Sequence, residues 1–271
     1  MNFITTVVLA SAFSFYNNTS TPTYTSSEGL AEYGNSILTE ASQHPKEFKG
    51  NVPSIQSITS TPGRGADKVR IPNGAKHFLP DTMDKASPNS LFPKDSSVIR
   101  ERAEELAEYF KKYYPDVIYH IDWDDDTVNA YAWKEGEQRH VALLGGLLRH
   151  KALQIQGIAL VLAHELGHHY AGEPTYSGGL SCEGQSDYWG AGTGMRTAYS
   201  SSYRETLSPA IEQVYTLFKK GVVNESSVQD EARRFQDSKG CSHPPADCRR
   251  ETYLAAMEGK PKPECAGLQV K

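Results

Sequence analysis

The stretch ALVLAHELGHHYAGEP, residues 159–174, combines a buried-helix pattern with three chemically active side chains. Its first half is apolar and a Gly-x-Pro stop ends it, so we predict one helix that begins near Gln154. Residues four apart lie on the same face of a helix. His164 and His168 therefore present two imidazoles to one ion. Glu165 is offset by about 100° around the axis, which places it near that ion without making it a ligand.

This H-E-x-x-H pattern predicts a hydrolytic zinc site, in which Glu165 takes a proton from a metal-activated water molecule. An ordinary core helix is the alternative, but such a helix does not bury His, Glu and His unsatisfied. The longer metzincin pattern is excluded, because Ala171 and Pro174 stand where Gly and His are required. We place His150 and His169 at the surface or in a second layer.

The third zinc ligand is predicted in SCEGQSDYW, residues 181–189. Catalytic zinc sites use three protein ligands and leave one position open. Glu183 and Asp187 are four apart, so on a helix the first can bind zinc while the second accepts the free N–H of a ligand histidine. Glu173 is nearer to the histidines, but it directly follows the helix stop. We therefore prefer Glu183 as the ligand.

Together these motifs resemble the gluzincin metallopeptidases, and three further segments are similar to their M48-like branch. VNAYAW at 128–133 is similar to the family's N-A-[FY]-A strand, and LLGGLLRH at 143–150 to the strand, turn and helix before the metal helix. CSHPPADCRR at 241–250 is similar to its S-H-P-x-x-x-x-R segment. The resemblance covers residues 95–258. Fourteen residues separate the second histidine from the glutamate, a spacing closer to the minimal gluzincins.

The resemblance implies a zinc endopeptidase that hydrolyses peptide bonds of a peptide or protein substrate through a zinc-bound water. It implies that His243 donates a hydrogen bond to the tetrahedral oxyanion, and that Arg249 lies near the cleft or orients the carboxylates of the metal site. It also implies an edge strand at 128–133, beside which the substrate lies extended.

The predicted fold class is α+β and zincin-like, with a small antiparallel sheet packed on the active-site helix. Segments VIYHIDW, VNAYAWK and QRHVALL are β-rich and indicate an antiparallel meander. A helix from Ser96 or Ser97 to before Pro115 precedes them. After the metal helix we predict a glutamate helix near Ser181, a helix that begins at Ser208-Pro209, and a last helix over 246–257.

Three parts of the chain differ in composition. Residues 1–12 are apolar and end in a small-x-small pattern, which predicts a signal peptide. Residues 13–90 are rich in Ser, Thr and Pro and predict a flexible tether or pro-region. Residues 91–271 form the predicted peptidase domain. The middle part could also cover the cleft as a latency segment, through a carboxylate such as Asp81 or Asp84 or through steric bulk.

The net charge of −5 and the absence of a basic block argue against a nucleic-acid partner. Residues 3–15 are the only long apolar run and are too short for a membrane span, so we expect a soluble monomer that is secreted or periplasmic. Four cysteines, Cys182, Cys241, Cys248 and Cys265, predict two disulfides with the pairing open. A four-cysteine zinc site is disfavoured, since close C-x-x-C pairs are missing. A bridge between the Glu183 and His243 segments would pin the third ligand against the oxyanion side.

Two other functions stay open from the sequence. An inactive zinc-fold binding protein needs the metal ligands but not the base, so the intact Glu165 argues against it. A zinc hydrolase of cell-wall amides uses the same metal chemistry, and only its substrate distinguishes it from a peptidase.

Overall fold

The computed structural model describes residues 68–80, 84–221 and 241–267. The predicted signal peptide, residues 1–12, lies outside these described residues, as do Asp81 and much of the predicted 13–90 segment. Within the described ranges, every helix is too short or too polar to cross a lipid bilayer.

The described residues form a four-stranded sheet. Its strands are β1 (Lys76–His77), β2 (Val117–Asp122), β3 (Ala130–Glu135) and β4 (Gln138–Leu144), in the spatial order β1-β3-β4-β2. Strands β3 and β4 form an antiparallel hairpin, β1 pairs antiparallel with β3, and β2 pairs parallel with β4. The protein is thus of the mixed α+β class, as its sequence predicts.

The predicted antiparallel meander is wrong in its strand order and in one strand direction. A tight turn at Gly136, which has a φ of +59°, joins β3 directly to β4. Strand β2 then pairs with the free side of β4, and residues 123–129 carry the chain past β4 to β3. Alternating polarity identifies the two faces of a strand but not its neighbours, so the sequence could not distinguish these arrangements.

Helices account for most of the remaining described chain. The two helices that carry the predicted metal-binding motifs, Ile155–Tyr170 and Glu183–Trp189, come after the last strand and one short helix, and a π-helical turn at Gly190–Gly194 joins them to the later helices. The helices are α1 (Ser97–Lys111), α2 (Gly145–Leu148), α3 (Ile155–Tyr170), α4 (Glu183–Trp189), α5 (Met195–Ala198), α6 (Tyr203–Gly221) and α7 (Ala246–Glu258).

Helix α3 is the central element of the hydrophobic core. Leu160, Val161, Leu162 and Leu166 are all 0% exposed, so the helix is buried around its whole circumference. The inner face of the sheet and helix α6 belong to the same core. Such a helix provides a rigid position for the two histidines that it carries.

Helix α6 begins earlier than the predicted start at Ser208-Pro209. Its first residue is Tyr203, and Pro209 lies in its interior. Tyr203 donates a hydrogen bond to the Ala191 carbonyl at 2.9 Å, and Leu207 is fully buried. Burial of this first part of the helix offsets the cost of an interior proline, which is about 3 kcal/mol.

Close contact between α3 and α4 depends on Gly167. A Cβ atom at this position would lie 2.7 Å from the Ser186 carbonyl oxygen and 2.8 Å from Ser186 Cα. Since real Cβ atoms do not approach backbone this closely, only glycine allows α4 to lie at its present distance from the metal helix.

Part of the predicted 13–90 segment belongs to this fold. Strand β1 pairs with β3, and the next two residues, Phe78 and Leu79, are 0% and 1% exposed. Ordered structure therefore begins before residue 91, because these apolar side chains are buried in the core.

Candidate metal centre

Two helices bring three possible ligands together. His164 and His168 come from α3, and Glu183 is the first residue of α4. Glu183 Oε2 lies 3.3 Å from His164 Nε2, and Glu183 Oε1 lies 3.7 Å from His168 Nε2. One ligand atom from each residue lies within 4.8 Å of the others, and all three side chains are buried. The structure thus brings together the three residues that the sequence predicts as ligands.

The second nitrogen of each imidazole is already engaged. His164 Nδ1 lies 2.8 Å from Asp187 Oδ1, and His168 Nδ1 lies 2.7 Å from the Ser181 carbonyl oxygen. Both Nδ1 atoms therefore carry the proton and donate it, which leaves the Nε2 lone pairs free. Among the described residues, neither Nε2 atom has a hydrogen-bond partner.

Asp187 is held by a buried network of its own. Arg249 donates to both of its carboxylate oxygens, at 2.8 and 2.7 Å, and Tyr253 donates to Oδ1 at 2.6 Å. Burial alone would raise the pKa of the Asp187 carboxyl, but the Arg249 charge and His164 hold that pKa well below its ordinary value. Asp187 is therefore a fixed anion against His164.

Glu165 is buried and lies outside the group of possible ligands found among the described residues. Its side chain is 0% exposed, and neither carboxylate oxygen has a hydrogen-bond partner within the described ranges. Burial raises the pKa of Glu165 to about 8, although His164 opposes the shift. Its carboxyl group therefore binds a proton more readily than that of an exposed glutamate.

His243 approaches the same centre from the segment before α7. Its Nε2 lies 3.5 Å from Glu183 Oε2 and 2.7 Å from the main-chain oxygen of His77. Burial lowers the pKa of His243 to about 4, although Glu183 opposes the shift. The imidazole is therefore neutral, with Nε2–H as the donor to the His77 carbonyl.

Sequence reasoning missed Tyr176, whose hydroxyl contacts Glu183. Its hydroxyl is 2.9 Å from Glu183 Oε1 and 2.5 Å from the Cys241 carbonyl oxygen. The residue stands in the loop between α3 and α4, where no periodicity marks it. Only the folded loop reveals its contact.

Two disulfides flank the centre, and their pairing answers the question that the sequence left open. Cys182 bonds to Cys241, and Cys248 bonds to Cys265. The first bridge joins the residue before Glu183 to the segment that carries the oxyanion candidate. Because these four thiols are used in disulfides, the alternative of a four-cysteine zinc site is wrong.

Three further candidates lie outside the ligand cluster. Glu173 is exposed and accepts a hydrogen bond from the Thr175 backbone at 3.0 Å. His169 Nε2 lies 2.9 Å from the His140 carbonyl, and the His150 ring accepts from the backbone N–H of Ala152 at 3.2 Å. None of the three belongs to the ligand group of the described residues.

The donor set fits a catalytic zinc ion. Two imidazole nitrogens and one carboxylate oxygen are typical catalytic ligands, and they leave a position open for water or substrate. Each ligand atom converges on one buried point, and each histidine has the outer hydrogen bond that such ligands require. Orphaned Nε2 atoms in a protein interior are costly unless a cation binds them.

Comparison with known proteins agrees with this geometry. Residues 93–221 match the sequence model of peptidase family M48, a range that contains the ligand cluster, Glu165 and Asp187. Neither the curated proteins nor the solved structures give a match to the chain. Residues 93–221 therefore carry the features of peptidase family M48, and this match indicates a zinc metallopeptidase.

Proposed function

We propose that the protein is an exported zinc endopeptidase with its catalytic centre at the head of α4. In this proposal His164, His168 and Glu183 hold one zinc ion, and Glu165 is the general base. The convergence of three unpaired ligand atoms within 4.8 Å is the observation that carries the assignment.

The protein's own groups perform the proton transfers. Glu165 takes a proton from the attacking water and returns it to the leaving amine. His243 Nε2–H donates a hydrogen bond to the oxygen that becomes negatively charged as the carbonyl carbon turns tetrahedral. The bound zinc ion supplies Lewis acidity, which polarises the scissile carbonyl and lowers the pKa of water.

Arg249 is a positioning residue in this proposal. Its guanidinium binds both oxygens of Asp187, and Asp187 fixes the ring of His164. A carboxylate that accepts the outer N–H of a ligand histidine orients the ring and raises its basicity. Arg249 therefore acts on the metal through two intervening side chains.

The state of Glu165 favours an enzyme over an inactive binding protein. A buried carboxylate without a partner destabilises the fold, and a scaffold would gain nothing from it. Peptides and proteins are the substrates of the family's chemistry, and the alternative of cell-wall amides requires a direct comparison.

Export is supported by the cysteine chemistry. Both disulfides need an oxidising compartment, and such bonds are rare in reducing cytosol. Together with the apolar residues 1–12, they favour cleavage of a signal peptide and a secreted or periplasmic location.

Zinc analysis of paired variants tests the ligand set. We expect one zinc ion per chain in the wild type, retention of zinc in Glu173→Ala and loss of zinc in Glu183→Ala. Glu173 is the matched control, since it is an exposed glutamate close in sequence. Full zinc occupancy in Glu183→Ala would contradict the ligand assignment.

Activity measurements test the base and the substrate class. Glu165→Gln should keep its zinc and hydrolyse casein 10²–10⁴-fold more slowly than the wild type, because the base is lost while the ligands remain. If both proteins released peptides equally fast, Glu165 would not be the base. Peptidoglycan assayed in parallel decides for or against the cell-wall alternative.

A further inference from the structure

The segment Lys76–Leu79 lies against the strand that the resemblance assigns to the substrate. Lys76 and His77 pair antiparallel with β3, opposite Ala132 and Tyr131, and the Phe78 amide donates to the Ala130 carbonyl at 3.1 Å. Strand β3 is therefore not an edge strand along these residues, which corrects the expectation for 128–133. An extended peptide that binds to a sheet edge uses the same backbone hydrogen bonds.

The His77 carbonyl lies where the proposed function places a scissile carbonyl. Its oxygen accepts from His243 Nε2, the proposed oxyanion donor, at 2.7 Å. That same nitrogen lies 3.5 Å from Glu183 Oε2, a proposed zinc ligand. A main-chain carbonyl of this chain thus occupies the donor that the substrate needs.

Polar side chains bind the backbone of the next two residues. Arg249 donates to the Phe78 carbonyl at 2.8 Å. Asn129 accepts from the Leu79 amide and donates to the Leu79 carbonyl, both at 2.9 Å. All of these contacts bind main-chain atoms and none binds a side chain of the segment, so the same groups can bind any extended peptide.

The Phe78 side chain fills an apolar pocket next to the centre. It is 0% exposed, and its ring centroid lies 5.1 Å from that of His164 and 5.3 Å from that of Phe218. The Arg249 guanidinium lies over its ring at 4.5 Å. The pocket therefore suits a large apolar side chain directly after the bond that faces the metal site.

We propose that Lys76–Leu79 fills the substrate groove as an intramolecular pseudo-substrate. The His77 carbonyl stands in for the scissile carbonyl, and Phe78 marks a pocket that selects a large apolar residue on the amine side of the cleaved bond. The full chain therefore hydrolyses protein substrates slowly, only in the fraction of molecules in which this strand has left the groove. This inference rests on the proposed function, because it uses His243 and the zinc ligands as that proposal assigns them.

A charge placed at Phe78 should displace the segment Lys76–Leu79, and this tests the inference in the full, zinc-loaded chain. Phe78→Asp places a carboxylate in the apolar pocket and should raise the rate of casein hydrolysis at least tenfold. Phe92→Asp is the matched control, since Phe92 is 40% exposed and its amide binds the Arg149 carbonyl rather than a residue of the centre, so its rate should equal that of the wild type. Large apolar residues should predominate at the new amino termini of the casein fragments.

Equal rates in the wild type and folded Phe78→Asp would overturn the inference and leave the proposed function intact. Small or charged residues at most of the new amino termini would overturn the assigned pocket. Absence of zinc from every variant would contradict the proposed function instead, so the two failures are distinguishable.

Hydrogen exchange on the wild-type chain decides the question if Phe78→Asp does not fold. The probe is a zinc-chelating dipeptide hydroxamate with a phenylalanine side chain. Its binding should displace the strand and accelerate exchange at the amides of Phe78 and Leu79, while the amides of β4 stay protected. Saturating hydroxamate with unchanged exchange at these two amides would show that the strand lies outside the groove.

Discussion

Each of the two proposed ligand histidines has one nitrogen bound within the protein and one left for a metal ion. A hydrogen bond from Nδ1 fixes the tautomer and the ring orientation of His164 and His168, so that both Nε2 lone pairs point to the same place. The two acceptors differ, because one is the Asp187 carboxylate and the other is a main-chain carbonyl. His168 Nδ1 also lies 3.0 Å from Ser186 Oγ, so the Asp187 carboxylate is the acceptor that a single side-chain substitution changes most directly.

Asp187→Asn tests the role of this carboxylate. An amide can present its N–H₂ group to His164, where an acceptor is needed, and it leaves the charge of Arg249 buried without its anion. We expect the zinc dissociation constant to rise about 10–100-fold, measured by competition with a chromophoric chelator. Asp247→Asn is the control, since Asp247 is an exposed acid whose carboxylate accepts from Tyr215 at 2.6 Å.

A folded Asp187→Asn protein with wild-type zinc affinity would contradict the account of His164. Unchanged affinity in Asp247→Asn is expected under either result, because that carboxylate does not contact the ligands.

At the scale of elements, the centre depends on how closely α4 approaches α3. Gly167→Ala should push Ser186 away and move Glu183 with it, since the new methyl group meets backbone rather than a flexible side chain. We expect a loss of about 1–3 kcal/mol in the free energy of unfolding, despite the better helix propensity of alanine, and weaker zinc binding.

Gly192→Ala is the matched control for this helix contact. A Cβ atom there would lie 3.5 Å from Ala256 Cβ, an ordinary distance, so thermal unfolding should show an unchanged or slightly raised midpoint. Equal zinc affinity in the Gly167→Ala protein and the wild type would contradict the need for close packing.

The outer face of the sheet predicts a pH effect that is independent of the metal. His120 on β2 lies 3.0 Å from His140 Nδ1 on β4 and stacks on Trp133, with Glu135 nearby at the end of β3. Burial lowers the pKa of His120, and His140 lowers it further, while Glu135 opposes the shift. The unfolded chain therefore takes up this proton at a higher pH than the folded protein.

Stability from this group is complete above the unfolded pKa of about 6.5 and is lost as the pH falls through the folded pKa. His120→Gln should reduce the acid-induced loss in the free energy of unfolding, measured by urea denaturation between pH 7.5 and 5. An identical pH profile in the variant and the wild type would contradict the shift at His120.

For the molecule as a whole, sequence spacing predicted those candidate site residues that share a helix. His164, Glu165 and His168 follow from helical spacing, and Glu183 with Asp187 follows from the same rule on the next helix. The sequence also predicted the α+β class. These features depend on neighbours within one or two turns, which a sequence displays directly.

Contacts between residues far apart in the sequence could not be predicted from the spacing of residue types along the chain. The pairing of β2 with β4 depends on which strand edge is free once the β3–β4 hairpin has formed. Strand β1 has only two residues in a polar segment. The partners of the longer segment Lys76–Leu79, which are Asn129, His243 and Arg249, lie 50 to 171 positions away. A main-chain acceptor such as Ser181 has no side-chain signature at all.

X-ray absorption at the zinc edge of the full, zinc-loaded chain identifies the atoms that bind the metal. We expect two imidazole nitrogens and light oxygen ligands at about 2.0–2.1 Å, with no sulfur in the coordination shell. A sulfur shell near 2.3 Å, or a zinc ion bound without imidazole, would contradict this expectation.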